Sequence, residues 1–127
     1  MERRFYLGIG LLLMILILGI AICIAMKAIH EPSQQLLQQA AQASLSGDME
    51  QAVPMALEAY GRWKKYRWFT ASVADHSPMD DTENLFAEML VFADAGETVH
   101  FSSCCLQLSN MTKAMYDAHS FTLWNLL

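Results

Sequence analysis

Residues 5–26 read FYLGIGLLLMILILGIAICIAM, an uncharged run of 22 residues dominated by Leu and Ile. At about 1.5 Å rise per residue a helix of that length covers roughly 33 Å, close to the ~30 Å hydrocarbon thickness of a bilayer. A helix apolar on every side needs lipid or a large protein around it, and only about 100 residues follow it here. The expectation is a membrane span, Phe5–Met26, carrying one small domain, with the lipid bilayer as its first partner. The apolar core is longer than the about 7–15 residues of a cleaved signal, so an uncleaved anchor is favoured over cleavage after Ala25 or Ala28. A lipoprotein centred on Cys23 fits less well, because Ile22 stands where a small residue is required.

Arg3 and Arg4 precede the span and Lys27 follows it closely. The excess of cations before the span predicts a cytoplasmic N-terminus and an extracytoplasmic domain. Residues 28–127 hold five basic and twelve acidic side chains, a net charge of −7 with His neutral. That balance argues against nucleic acid as a partner.

No alternating apolar–polar run signals a strand, so the predicted class is all-α: a transmembrane helix followed by an antiparallel bundle of three to four helices. The division expected is residues 1–27 as N-terminus and anchor, 28–47 as juxtamembrane connector and stalk-like helix, and 48–127 as bundle domain. Pro32 in the connector 27–32 marks a break, with Ser33 as N-cap of a first helix that Gly47 stops. Its face (Leu36, Leu37, Ala40, Ala41, Ser44) is thin, which suggests a weakly packed stalk or a fourth bundle member. Asp48 and Gln51 have capping-box spacing and open a second helix whose inner face is Met49, Val53, Ala56, Tyr60 and Trp63. Pro54 should bend that helix or delay its start. His76-Ser77-Pro78 breaks the chain near Asp75. A third helix starts at the acidic run 79–83, carries the seam Leu85, Met89, Phe92, and ends at Gly96. A fourth begins near Glu97, and Phe101, Cys104, Leu108, Met111, Met115 and Ala118 step by threes and fours. The apolar tail SFTLWNLL should dock on the bundle.

Four places carry possible chemistry. Arg62-Trp63-Lys64-Lys65-Tyr66-Arg67-Trp68-Phe69 interleaves cations and aromatics, as an anionic-lipid or cation–π site would. The structural reading, aromatics inward and cationic stems over them, is favoured. Asp75, His76, Asp80 and Asp81, with Glu83 at their margin, cluster at a helix junction. They suit capping better than a metal, for which no tight ligand spacing exists. Cys104 and Cys105 point about 100° apart on a helix and do not readily bridge each other. They read as buried apolar thiols; His100 on the face of Cys104, or a dimer through Cys105, is the sharper alternative. His100 and His119 have no nucleophile at a diagnostic spacing, so no catalytic residue, metal or cofactor is assigned and an enzyme is not expected.

The runs WKKYRW, DHSPMDD, NLFAEML and AHSFTLWNLL together resemble a family of small bacterial single-span membrane proteins with an uncharacterised helical domain. The likeness rests on a Trp-rich helix, an Asp-His-x-Pro-Met turn (Asp75, His76, Pro78, Met79) and a terminal His with an apolar tail (His119, Trp124, Asn125), and covers roughly residues 60–127. It implies the same architecture and no established activity. It suggests that His76 and His119 are polar anchors closing helix ends. The functional expectation is an interaction or accessory subunit of a cell-envelope process, with a membrane or envelope protein as partner. The alternative is a membrane-tethered small-ligand or metal-sensing domain. Its candidate polar site draws on Trp63, Trp68, Asp75, His76, Asp80 and His119, and its pocket on Trp63, Trp68, His76 and His119.

Overall fold

In the computed structural model, which describes the backbone of residues 1–73 and 76–126 and the side chains of 1–72 and 77–117, the chain is four helices and short turns. They are α1 (Glu2–Leu45), α2 (Met49–Val73), α3 (His76–Ala95) and α4 (Thr98–Leu126). The class is all-α as expected. The N-terminal part of α1 is long and apolar enough to cross a membrane, and its apolar side chains are almost all exposed.

The break expected at residues 27–32 is absent: α1 runs on for 44 residues with Pro32 inside it. A proline within a helix removes one i→i−4 bond and crowds the preceding turn, a cost of ~3 kcal/mol. The packing on either side of Pro32 offsets it. Met26, His30, Ser33, Leu37, Ala40, Ala41 and Ser44 are all buried. They recur every three or four residues, so one stripe of α1 faces the bundle from Met26 to Ser44. Residues 33–45, expected as a stalk or as a fourth bundle member, are thus the latter. Their small side chains bring α1 close to its neighbours rather than leaving it loose.

Two turns fold the helices back. Gly47 has φ +84 and Gly96 φ +69, the left-handed region that L side chains avoid. At the first, Gly47 N–H donates to Ser44 O and Asp48 N–H to Ala43 O; at the second, Gly96 N–H donates to Ala93 O and Glu97 N–H to Phe92 O. Both are Schellman closures, which use the last free carbonyls of one helix and reverse the chain. Asp48 then caps α2, its Oδ1 accepting the Gln51 N–H at 3.1 Å. α2 continues through Pro54 without interruption from Met49. α3 starts earlier than the acidic run, at His76.

α1 packs mainly against α4 and α2, α4 also against α3, while α2 and α3 meet sparsely. The helices thus form a four-sided bundle with one loose edge. Its core joins Leu37, Ala40 and Ala41 of α1, Ala52, Ala56, Ala59 and Trp63 of α2, Met79, Phe86 and Met89 of α3, and Phe101, Cys104, Cys105, Leu108 and Met115 of α4. The heptad of the fourth helix holds as far as Met115, with Met111 half-buried. On α3 the buried stripe is Met79, Thr82, Phe86 and Met89, with Leu85 and Phe92 at its margin. Ala118 and the tail side chains lie outside the described residues.

Ala52, Ala56 and Ala59 of α2 are fully buried in the core. Ala56→Leu is expected to lower stability by about 1–3 kcal/mol through overpacking. Leu57→Ala, one residue along and 46% exposed, should change it little. Urea unfolding in a fixed detergent compares the two, and equal effects would show that the Ala-lined contact is not tight.

Candidate functional site

The aromatic–cationic run of α2 is divided by the helix itself. Trp63 and Trp68 are five residues apart, about 140° round the helix at ~100° per residue. Trp63 is 3% exposed and Trp68 86%. Trp63 lies between α1 and α3, its ring 6.1 Å from that of His30 and 6.2 Å from that of Phe86. Its Nε1–H is buried with no hydrogen-bond partner among the described residues. Trp68 stands outside. The two tryptophans therefore do not line one pocket. Asp80 is exposed on α3. Asp75 and the side chains of His76 and His119 lie outside the described residues, and so does the junction they were expected to cap.

What lines up instead is a shallow groove of about 410 Å³ along the sparse α2–α3 edge, formed by Tyr60, Lys64, Arg67, Trp68 and Glu83. Three of these share a face of α2 because 60, 64 and 67 are spaced by four and three. Lys64 Nζ lies 4.4 Å from the centre of the Tyr60 ring. Arg67 Nε donates to Glu83 Oε1 at 2.6 Å across the two helices. Both side chains are partly exposed, so the pair is worth at most about 1 kcal/mol to the fold. Its consequence is geometric: it holds the guanidinium beside Trp68 and gives one wall of the groove a counter-charge. Tyr60, expected on the inner face, is half-buried, and its ring meets Phe86 at 5.0 Å while bordering the groove. Glu83, expected as a first-turn carboxylate at the margin of the helix-junction cluster, pairs with Arg67 instead. Its partner is visible in the sequence once the α2–α3 reversal is placed near residue 75, because Arg67 and Glu83 stand eight residues either side of it.

A second polar feature was missed altogether. His30 is 2% exposed, and its Nε2 is 2.8 Å from Thr70 Oγ1. Thr70 Oγ1 in turn donates to Tyr66 O at 3.1 Å, so the threonine hydroxyl accepts from the imidazole. Further along α1, Gln34 Nε2 donates to Ser109 Oγ and Ser109 Oγ to Gln34 O, both at 3.3 Å. Ser44 and Ser102 hydroxyls bond to each other across the same seam. Reading Pro32 as a break hid His30, although it continues the stripe from Met26 to Ser33.

His100 is exposed and stacks on Phe92 at 4.9 Å rather than turning to Cys104. Among the described residues no three His, Cys, Asp or Glu side chains converge as metal ligands would. Cys104 and Cys105 are both buried, at 3% and 0% exposure. Cys105 therefore has no route to a second chain in the folded state. Burial raises both thiols, reinforced for Cys104 by Glu88 and for Cys105 by Cys104; Cys105 is pushed up to about 12 from an ordinary 9.0. The folded state thus holds the Cys105 proton more tightly than the unfolded chain. Its contribution to stability is intact below about pH 9 and is lost as the pH rises toward about 12. Because the thiolate is the reacting form, both cysteines should resist iodoacetamide at pH 8 in the folded protein and react after denaturation. Mass spectrometry counts the adducts, and rapid alkylation of the native chain would contradict the buried placement. No protein-family model matches the chain, and no characterised protein and no solved structure shows significant similarity to it.

Proposed function

We propose that the chain is a membrane-anchored accessory subunit whose helical domain presents the Trp68 face to a second protein of the same membrane. The observation that carries this reading is Trp68 itself, 86% exposed on α2 beside Tyr60, Lys64 and Arg67. Trp, Tyr and Arg are the side chains that most often anchor protein interfaces, and an exposed Trp of this kind gains about 2 kcal/mol or more when a partner covers it. The height of the face supports a partner in the membrane. Thr70 is level with His30, four residues beyond Met26 at the end of the span. That sets Arg67 and Trp68 roughly 10 Å beyond the hydrocarbon edge at ~1.5 Å per residue, within reach of another protein's juxtamembrane segment.

The charge flanking the span supports a cytoplasmic N-terminus, an uncleaved signal-anchor and an extracytoplasmic domain. With the likeness to small bacterial single-span proteins, this makes a cell-envelope process the setting. A membrane-tethered small-ligand domain is the second reading, and the cation–aromatic lining of the groove favours it. The groove is open, and Arg67 is already paired with Glu83, which suits a broad protein contact better than an enclosed small molecule.

A photoreactive benzoylphenylalanine at position 68 of the full chain in native membranes tests the choice. The expected result is one discrete protein adduct that disappears when Lys64 and Arg67 are both changed to Glu. Adducts to lipid alone, or a protein adduct unaffected by those changes, would overturn it.

A further inference from the structure

We propose that the last turns of α4 enter the membrane beside the span, in the leaflet on the domain's side. Three observations lead there. The first is the register of α1 against α4. Ser109 bonds to Gln34 and Ser102 to Ser44, so the two helices run antiparallel. α4 remains helical to Leu126. That residue is seventeen past Ser109, about 25 Å along the axis at ~1.5 Å per residue. Counting back from Gln34 sets its backbone level with Ile17; counting from the Ser44–Ser102 pair sets it level with Ile20. Both lie six to nine residues inside the span from Met26, a depth of roughly 9–13 Å, short of the ~15 Å half-thickness of the hydrocarbon layer.

The second is a one-sided cover on the span. Every residue from Phe5 to Ile15 is exposed, whereas Leu16, Gly19, Ile22, Cys23 and Ala25 are half-buried and Met26 is fully buried. Ile17, Leu18, Ile20 and Ile24, on the other side of the same turns, stay exposed. The covered positions continue the stripe of Met26, His30 and Ser33. An element of the chain therefore runs along α1 as far as Leu16. α2 does not reach that depth, because Thr70 opposite His30 leaves Val73 level with Lys27. α3 begins from the same level. Among the described residues only α4, with ten helical residues beyond Tyr116, extends so far.

The third is composition. Residues 118–126, AHSFTLWNL, contain no Asp, Glu, Lys or Arg. A helix satisfies its own backbone and is the form in which such a segment can sit in lipid. The bundle is then held to the bilayer at two points rather than one, by the span and by a half-inserted helix packed against it. This fixes the rotation of the domain about α1, which a lone span leaves free.

The test uses the full chain in phosphatidylcholine vesicles. Trp63→Phe with Trp68→Phe leaves Trp124 as the single emitter. Comparison of the wild-type chain with W124F reads the same signal without altering the core. The expected outcome is that nitroxide-labelled lipids remove most of the Trp124 emission and aqueous iodide removes little. Quenching by iodide as for a free tryptophan would return the tail to water and overturn the proposal. Protection from both quenchers would put the tail inside protein, away from lipid, and would overturn it equally.

Discussion

The continuity of α1 is the constraint on which the rest of the molecule depends. One helix changes surroundings along its length: its N-terminal half is apolar, exposed and long enough to cross a membrane, its C-terminal half is packed by other helices, and Pro32 lies beyond the changeover. A proline there would ordinarily end a helix or loosen it into a hinge. It does neither because the turns on both sides are held, by His30 bonded to Thr70 and by Ser33 and Leu37 buried against the bundle. The apolar segment and the bundle therefore share one continuous helix, and the position of every other helix relative to that segment follows from the register each keeps with α1.

The chemistry of that seam differs from an ordinary soluble core. Alanines and hydroxyls dominate it, and its buried polar groups bond to one another: Ser44 to Ser102, Ser109 to Gln34, Thr112 to its own helix at Leu108 O. Small residues allow close approach of the two helices, and the hydroxyls supply bonds between them. Each bond adds only about 1 kcal/mol, but each also fixes which turn of α1 faces which turn of α4. The large side chains Trp63, Phe86, Phe101 and Met89 are buried in the same core. The least-packed edge is α2–α3, and the exposed aromatic and cationic groups gather there. Outside the Phe86 contacts with Tyr60 and Trp63, this edge is spanned by a partly exposed ion pair, and it is where the fold can best tolerate a partner.

Much of this architecture was legible from residues whose role is local. Gly47 and Gly96 announce left-handed turns, Asp48 announces a cap, and the three–four stepping of Phe101 to Met115 marks a buried face. Each of these needs only its own neighbours to act. Pro32 was misread because its local preference is outweighed by tertiary packing on either side, and the error carried His30 with it. The groove was partly legible: the interleaved run named Lys64, Arg67 and Trp68, while Tyr60 and Glu83 join them only through a contact between helices. Trp63 and Trp68 look alike in the sequence and are separated by helical phase alone. His76, His119 and Asp75 remain expectations of the sequence, outside the described residues.

The distance between spin labels at Ile24→Cys and Leu45→Cys, in an otherwise cysteine-free chain in lipid nanodiscs, tests the continuity of α1 most directly. Both positions are exposed, and both lie outside the buried stripe. A single helix across Pro32 predicts one narrow distribution near 31 Å, from about 1.5 Å per residue over the twenty-one residues between them. A broad or markedly shorter distribution would mean that the chain bends freely below the domain, and the shared register of span and bundle would fall with it.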